Sequence, residues 1–321
     1  MAVTYTLGQM TDSTLRQLRG TLRDTINILA VALDAPTAGT TETITFSYDI
    51  SAINAGSLLS VGTETMYVIA TTPSNLTCSV IRGYDGTTPA TQPIGAQITV
   101  DPPWTRNEVQ DRLRDEIRSW APQLFKTAEV QIPVVEWQRG YDLGGITTPI
   151  IRILRVTAPQ PPYVGAPGAW EVPGTSDISQ ANPTFPFRFQ RNANPVEFPS
   201  GNAVFLTGTI LPYAGLELTV AYATPFDVDT SWTDATDMIS AVGLNESDLD
   251  IPPMGAAARL LRLLVARRVQ VNVRGQSRDD QAVTVPAILQ AATQLELTVA
   301  QRKGDLKQRL LTDYPLRSTN F

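Results

Sequence analysis

The stretch Glu64-Thr-Met-Tyr-Val-Ile-Ala-Thr-Thr-Pro-Ser-Asn-Leu-Thr-Cys-Ser-Val-Ile81 decides how the central part of this chain folds. Two runs rich in apolar and β-branched residues, 65–70 and 76–81, flank the polar sequence Thr71-Thr-Pro-Ser-Asn75. β-Branched side chains suit the pleated surface of a strand, whereas proline, serine and asparagine favour turns. The stretch therefore predicts a β-hairpin.

Further strands are predicted on both sides of this hairpin. Residues 44–48 alternate between apolar and polar, and 96–100 form a short run of the same kind,. The intervening Arg82-Gly-Tyr-Asp-Gly86 is not a P-loop, because it lacks the Gly-Lys-Ser/Thr ending and does not lead into a helix,. We therefore interpret it as a tight turn within a small β unit of about residues 40–100.

An amphipathic helix is predicted before the β unit. It opens at Thr11 or Asp12 and ends at Asp34-Ala-Pro36, because proline cannot continue the hydrogen-bond ladder of a helix,. Apolar residues at offsets of three and four form its stripe: Leu15, Leu18, Leu22, Ile26, Leu29 and Leu33,.

A second helix is predicted after the β unit. Thr105-Arg-Asn-Glu108 matches the capping box, in which a threonine hydroxyl and a glutamate satisfy backbone amides at the helix start,. Ala121-Pro122 closes this helix,. Its apolar stripe consists of Val109, Leu113, Ile117 and Trp120.

Residues 127–226 predict a β-sandwich-like insertion domain. Short strand-like runs alternate there with loops rich in proline and glycine,. Four aromatic residues of this region are expected in its core, although they could instead form a platform for a sugar. These residues are Trp137, Tyr141, Tyr163 and Trp170.

An acidic connector, 227–254, follows. It does not match a calcium-binding EF-hand loop, because Trp232 stands where the glycine belongs and Met238 where the bidentate glutamate belongs,. We expect a solvated segment in which Thr233 or Asp234 caps a short helix.

Helical periodicity returns in the C-terminal part. Residues 255–273 combine apolar positions with four arginines, and a longer helix starts at Pro286 and stops at Tyr314-Pro315,. The predicted class is therefore α+β: a helical bundle of about four amphipathic helices, a small β element and a larger β-sandwich-like insertion. The predicted divisions are 1–126 (helical base with the small β element), 127–226 (insertion), 227–254 (connector) and 255–321 (C-terminal helices and tail).

The residue content excludes several chemistries. The chain has no histidine and one cysteine, Cys78, so a histidine base, a histidine zinc ligand and an intrachain disulfide are all impossible,. We expect Cys78 to be a buried, inert thiol. We also expect no enzymatic activity, no cofactor, no metal, no secretory signal and no membrane span.

Charge is distributed unevenly along the chain. Residues 255–321 contain 11 Lys+Arg and 5 Asp+Glu, whereas residues 1–254 contain 14 and 26. A basic end on an acidic body indicates docking on an acidic partner or contact with nucleic acid, or simply a solvated basic helix face. A motif for reading nucleic-acid sequence is missing.

The β unit resembles an element found in virion proteins of tailed phages. The resemblance rests on the strand led by Glu64, the strand that ends in Arg82-Gly-Tyr-Asp-Gly86-Thr87, and the short strand after Gly95. Related sequences often carry a histidine near the position of Gln92, where this chain departs. The element covers about a tenth of the chain, and the arrangement of helices around it resembles the head-to-tail adaptor (connector) family.

This resemblance implies a place in the neck of the particle, with assembly in the host cytoplasm. Adaptors form a ring, expected to be a dodecameric homo-oligomer, beneath the portal protein and above a downstream neck or tail-completion protein. Packaged DNA passes through the lumen without sequence-specific binding. The residues expected to dock on the portal are Lys303, Lys307, Arg309, Arg317 and Phe321.

Three alternatives stay open at the level of sequence, one of which is a soluble interaction protein outside phage biology. The chain could be a tail-tip, baseplate or fibre-attachment protein whose β domain binds a host-surface glycan. It could also be a virion-associated glycoside hydrolase, because the spacing of two catalytic carboxylates is a three-dimensional property.

Overall fold

The computed structural model describes residues 4–19, 25–158, 184–208, 212, 215–229, 231–273 and 285–314. These residues form four α-helices and three antiparallel sheets, which confirms the α+β class. The helices are α1 (Leu7–Arg19), α2 (Arg106–Arg118), α3 (Ile251–Val273) and α4 (Val285–Asp313). The strands are β1 (Thr25–Ile28), β2 (Thr41–Thr45), β3 (Leu58–Val61), β4 (Glu64–Thr72), β5 (Thr77–Ile81), β6 (Gln97–Val100), β7 (Lys126–Pro133), β8 (Gly140–Asp142), β9 (Arg152–Thr157), β10 (Phe187–Arg191), β11 (Asn202–Leu206) and β12 (Glu217–Thr224).

The chain divides into two compact units. The first consists of Met1–Ser119 and Asp227–Gly304, and the second of Trp120–Phe226 and Asp305–Phe321. The first unit contains the six-stranded sheet, and the second contains two three-stranded sheets. The acidic connector, 227–254, is therefore part of the first unit. Helices α1, α2 and α3 also belong to this unit, although α3 comes from a later segment of the chain than α1 and α2.

The six-stranded sheet has the order β1-β6-β3-β4-β5-β2 and curls on itself. The amide of Ser47 donates to the carbonyl of Ile28 at 2.9 Å, and the amide of Ala30 donates to Thr45 at 2.9 Å. These bonds join the two edges of the sheet, which removes exposed strand edges at that point. The inward side chains form one apolar core that includes Leu29, Ile44, Phe46, Leu59, Met66, Val68, Cys78, Val80 and Ile98.

The predicted hairpin is confirmed as β4 and β5. Pro73–Asn75 form a single 3-10 turn between the two strands, and Leu76 adopts a left-handed φ of 53°. The predicted strand at 96–100 is confirmed as β6. The strand predicted at 44–48 lies earlier in the structure, where β2 covers Thr41–Thr45. Tyr48 lies beyond the end of this strand and is 61% exposed.

The first predicted helix is wrong from residue 25 onward, and Leu22 of its predicted stripe lies outside the described residues. Helix α1 begins at Leu7 and ends at Arg19, and Ile26 belongs to β1, which pairs with β6. Leu29 and Leu33 are buried in the core of the six-stranded sheet. The β unit therefore begins at 25 rather than about 40, because pairing with distant residues overrides a local helical spacing that this short segment also satisfies.

The second predicted helix is confirmed together with its cap. The Thr105 hydroxyl accepts the amide of Glu108 at 3.2 Å, as the capping box requires,. The whole predicted stripe, including Trp120 just past the helix, is buried. This helix packs against α1 and α3, and α1 also packs against α3.

The second unit contains the strands predicted for 127–226. Its sheets have the orders β10-β11-β8 and β7-β12-β9, and one apolar cluster draws side chains from both sheets. Tyr141 is in this cluster, as expected for a core aromatic. Trp137 contradicts the same expectation, because it is 82% exposed in a turn with a φ of 63°. Tyr163 and Trp170 lie outside the described residues.

The C-terminal helices follow the prediction closely. Helix α3 begins at Ile251, four residues earlier than expected, and α4 begins at Val285. Ile288, Ala292, Val299 and Leu306 of α4 are buried, at the offsets of four and seven residues that one face of a helix requires,.

Candidate partner-binding residues and buried ion pairs

The residues predicted to dock on a portal have different surroundings in the structure. Lys303 lies on α4, and its ammonium group forms a salt bridge with the carboxylate of Glu116. The Lys303 side chain is 27% exposed. Lys307 and Arg309 lie further along the same helix and are exposed. Arg317 and Phe321 lie outside the described residues. The structure therefore places Lys303, Lys307 and Arg309 within two turns of one helix.

Glu116 connects three helices through its buried carboxylate. Its side chain is 3% exposed, and its Oε2 lies 2.7 Å from an Nη atom of Arg259 on α3. Its Oε1 binds Lys303 on α4. Removing a carboxylate from water is costly unless cations compensate, and here two cations do so. The sequence did not reveal this role because a charged residue is normally assigned to solvent, although Glu116 follows Val109 by seven residues and therefore lies beside the apolar stripe of α2,.

Gly255 provides the space that Glu116 occupies. A Cβ atom at position 255 would lie 2.5 Å from Cδ, the carboxylate carbon of Glu116. That distance is shorter than real Cβ contacts, so α3 approaches α2 closely only because this residue has no side chain.

Other basic residues of α3 and α4 also have acidic partners within the chain. Arg262 pairs with Glu296, and Arg302 pairs with Asp250 at 3.1 Å. Both pairs are partly exposed, and such pairs contribute about 0–1 kcal/mol each. The uneven charge seen in the sequence is therefore used partly to hold the C-terminal helices in place.

A second buried carboxylate lies in the six-stranded sheet. Glu64 and Arg82 are both fully buried, and Arg82 Nε and one Nη lie 2.6 and 2.9 Å from the two Glu64 oxygens. Arg82 also binds Glu42 and the carbonyl of Ala90. The amides of Gly83 and Ala90 donate to Glu64 at 3.0 and 3.2 Å. Burial opposes the charged form of Arg82, but Glu64 and Glu42 raise its pKa above the ordinary value,.

The residues after Arg82 have structural roles of the same kind. Gly83 has a φ of 64°, and a Cβ atom there would lie 2.8 Å from Pro89. The Thr87 hydroxyl donates to the carbonyl of Tyr84 at 2.8 Å and accepts the amide of Thr65 at 3.0 Å. The Arg-Gly-x-x-Gly-Thr pattern is therefore a set of contacts that closes the turn onto β4.

The connector is held to α1 and α2 by a third ion-pair site. Arg106 of α2 lies 3.1 Å from Asp234 and 2.7 Å from Asp12. Gln110 also donates to Asp234, at 2.6 Å. The expectation that Thr233 or Asp234 caps a short helix is wrong, because Asp234 is an ion-pair partner and the chain forms turns there.

The remaining chemistry of the described residues is limited. No group of three or more Cys, Asp or Glu side chains is placed to hold a metal ion within the described residues. Cys78 is 1% exposed, and burial raises the pKa of its thiol to about 11. A cavity of about 220 Å³ lies beside α1, and its lining includes Leu15, Leu18, Trp104 and the charged residues Asp12 and Arg106.

Comparisons with known proteins do not identify the chain. Neither a protein-family model nor a curated protein matches it. None of the helices in the described part of the chain is long and apolar enough to cross a membrane.

Proposed function

We propose that this chain is a structural protein of a tailed-phage virion, a head-to-tail adaptor subunit that docks under the portal and joins capsid to tail. The observation that carries the proposal is the agreement between the resembling residues and their roles. Glu64, Arg82, Gly83 and Thr87 carry the resemblance, and all four hold the turn of the six-stranded sheet in place.

The arrangement around the sheet supports the adaptor position. The sheet follows α1 and precedes α2, and α1, α2 and α3 pack together. In the proposed ring these helices form the bundle at the base. The net charge of −6 supports a lumen wall that repels DNA and lets it slide,.

The proposed portal contact lies at the end of α4 and in the tail. Lys303, Lys307 and Arg309 lie on this part of α4, and Lys307 and Arg309 are exposed. Lys303 also pairs with Glu116 and therefore helps to hold α4 in place. We expect deletion of 316–321 to reduce co-sedimentation with portal rings while leaving the circular dichroism spectrum unchanged. Undiminished co-sedimentation of the shortened chain contradicts this contact.

Immunogold labelling of intact particles tests the function itself. The antibody is raised against residues 127–226, and the expected label is at the junction of head and tail. Label at the distal end of the tail supports the alternative below. An absence of label on particles that contain the chain by mass spectrometry points to a buried epitope, and absence of the chain from particles overturns the virion proposal.

One observation favours a second candidate, a tail-tip or fibre-attachment protein that binds a host glycan. Trp137 presents its ring to solvent at 82% exposure, and exposed aromatic rings stack on sugars,. We expect Trp137→Ala to abolish binding to host cell-wall polysaccharide if this candidate is correct. Val196→Ala, at another exposed apolar position of the same unit, is the matched control.

A further inference from the structure

Strand β7 forms an open edge of its sheet. It lies at one end of the order β7-β12-β9 and pairs with β12 along its whole length, Lys126–Pro133, without a shift in register. An edge strand without a bulge invites pairing with another chain, because its outer backbone groups are regularly spaced. The geometry of β7 therefore suits the addition of a further strand.

The open edge presents three backbone amides. The amide of Val134, just after β7, donates to the carbonyl of Leu216, just before β12, at 2.8 Å. The backbone groups of successive residues alternate in direction along an antiparallel strand. Thr127, Glu129 and Gln131 therefore direct their N–H and C=O groups away from β12. Among the described residues, no backbone group pairs with these three on that side.

The inward side chains of β7 are incompletely covered. Ala128, Val130 and Ile132 face the apolar core of the second unit but are only half-buried. Leu218 and Val220 of β12, which lie opposite Ile132 and Val130 on the same face, are fully buried. The difference arises because β12 has a strand on each side and β7 has a strand on one side only. A further strand beside β7 would cover this apolar surface.

Strand β7 is complementary to a second copy of itself. In one antiparallel register, Val130 lies opposite the Val130 of the second copy, and Ala128 lies opposite Ile132. These side chains are all apolar and share the inward face. On the outward face, Glu129 lies opposite Gln131, so that no two like charges meet. Apolar cross-strand pairs of this kind stabilise a sheet.

The same register provides acceptors for the free amides. Glu129 and Gln131 exchange backbone hydrogen bonds across the contact, and the amide of Thr127 donates to the carbonyl of Pro133. Proline has no N–H group, so Pro133 accepts a hydrogen bond without leaving a donor unpaired. All three free amides of each copy are bonded in this way.

Neighbouring registers are less favourable. A shift of two residues in one direction puts Glu129 opposite the second copy's Glu129, and like charges directly opposite each other are destabilising. A shift of two residues in the other direction carries Thr127 beyond Pro133, the end of the partner strand, so its amide loses its acceptor. A shift of one residue sets the apolar face of one strand against the polar face of the other.

We propose that β7 of one copy of this chain pairs antiparallel with β7 of a second copy, about a two-fold axis that passes between the two Val130 residues. The two β7-β12-β9 sheets then form one continuous sheet, and the open edge of each copy is covered,. The contact uses the same surface of both copies, so it joins them in pairs and does not build a ring. The inference therefore goes beyond the proposed function and does not depend on it.

Cysteine cross-linking of the purified full chain tests this pairing. Residues that face each other between two hydrogen-bonded pairs have Cα atoms about 4.5 Å apart, a distance that a disulfide can span. We expect Val130→Cys to form disulfide-linked dimers under mild oxidation about tenfold faster than Ala128→Cys or Ile132→Cys alone, because contact raises the effective concentration. The native background is low because Cys78 is 1% exposed, with a thiol pKa of about 11.

The two slower variants are matched controls for the register. Positions 128 and 132 share the inward face with 130, but in the proposed register each lies about 13 Å from its own counterpart. A mixture of Ala128→Cys and Ile132→Cys chains should nevertheless cross-link as fast as Val130→Cys, because these two positions face each other.

The charge at position 131 provides the second measurement. Gln131 is exposed and faces Glu129 of the second copy in the proposed register. We expect Gln131→Glu to raise the dissociation constant of the dimer about tenfold and Gln131→Lys to lower it, since each dimer contains the pair twice. Sedimentation equilibrium measures this constant, and circular dichroism shows that both variants are folded.

Several outcomes would overturn the pairing. A chain that stays monomeric, with no faster cross-linking of Val130→Cys, has no such contact. Equal cross-linking at 128, 130 and 132 would show random collision without a register. A dimer that responds to neither change at Gln131 lies on another surface, and a cross-link of Val130→Cys only to a different protein overturns the second copy as the occupant. The position of the immunogold label in particles is independent of all these results, so failure of the pairing and failure of the adaptor proposal are distinguishable.

Discussion

Glu64 and Glu116 are both buried carboxylates neutralised by basic side chains, but they connect different parts of the molecule. Glu64 pairs with a fully buried arginine 18 residues away in the same sheet. Glu116 pairs with Arg259 and Lys303 on two other helices, and these side chains are 41% and 27% exposed. The Glu64 site is enclosed and joins residues close together in sequence. The Glu116 site is partly exposed to solvent and joins segments far apart in sequence.

This difference predicts two kinds of contribution. A buried charge without its partner is strongly destabilising, and neither Glu64 nor Arg82 can reach water without opening the sheet. At the Glu116 site, Arg259 and Lys303 can turn to solvent, so the loss of the carboxylate is partly compensated. The Glu64 site therefore secures one sheet, whereas the Glu116 site sets the position of α3 and α4 relative to α2.

Removal of the Glu64 charge should have the largest effect. We expect Glu64→Gln to lower the free energy of unfolding by about 3–5 kcal/mol, because it leaves the fully buried Arg82 with one carboxylate and an amide in place of the other. Urea unfolding followed by circular dichroism measures this change. Glu42→Gln is the matched control, since Glu42 is 31% exposed and should cost about 1 kcal/mol,. Equal effects of the two variants would mean that enclosure of Glu64 is unimportant.

Removal of the Glu116 charge should have a smaller but more widespread effect. We expect Glu116→Gln to cost about 2 kcal/mol, between the values for exposed and buried pairs. Hydrogen exchange should become faster in α4 than in the six-stranded sheet, because α4 loses its contact through Lys303. Asp115→Asn is the control, since that neighbour is 39% exposed and pairs within its own helix. Uniform acceleration in both regions would show that Glu116 does not act on α4 in particular.

Loss of the cap of α2 should be smaller again. We expect Thr105→Ala to cost about 1 kcal/mol, because the amide of Glu108 loses its acceptor,. Thr105→Ser keeps the hydroxyl and serves as the control in the same unfolding experiment. If the effects of Thr105→Ala and Glu116→Gln are additive, the two ends of α2 act independently.

Salt should change the destabilisation caused by Glu116→Gln and by Glu64→Gln differently, and this is the smallest of the expected effects. Mobile ions screen exposed charges more than enclosed ones. We therefore expect the destabilisation by Glu116→Gln to shrink between low salt and 1 M NaCl, and that by Glu64→Gln to stay nearly constant. The opposite order would indicate that water reaches Glu64 and not Glu116.

Local sequence patterns predicted the elements whose determinants are local. The capping box placed the start of α2, and the polar turn between two β-branched runs placed the β4–β5 hairpin. Each of these signals lies within a few residues and depends on backbone groups of the same segment. The buried stripes of α2 and α4 follow from the same reasoning, because an apolar face must be covered somewhere.

Prediction failed where distant segments compete for the same residues. The spacing of Ile26, Leu29 and Leu33 fits a helix, but pairing with β6 and burial in the sheet make the segment extended. Trp137 was expected in a core, and a turn with a left-handed φ directs it to solvent instead. In both cases the outcome depends on whether a distant segment covers the residue, and the neighbouring sequence does not show this.

The candidate site shows the same division. Partner binding by the C-terminal residues stays a prediction for all five candidates, which are Lys303, Lys307, Arg309, Arg317 and Phe321. The sequence could not show that Lys303 and Arg259 meet at Glu116, because that contact depends on the packing of three helices around Gly255.

By itself, the sequence determined the α+β class, the cap and stripe of α2, the hairpin, and the absence of histidine chemistry. Those properties follow from residue types and from interactions between near neighbours. Only the tertiary structure decided where β1 pairs, which carboxylates are buried, and which apolar faces are left exposed. These depend on segments that approach each other over long stretches of chain, where burial and the pairing of charges outweigh local preference.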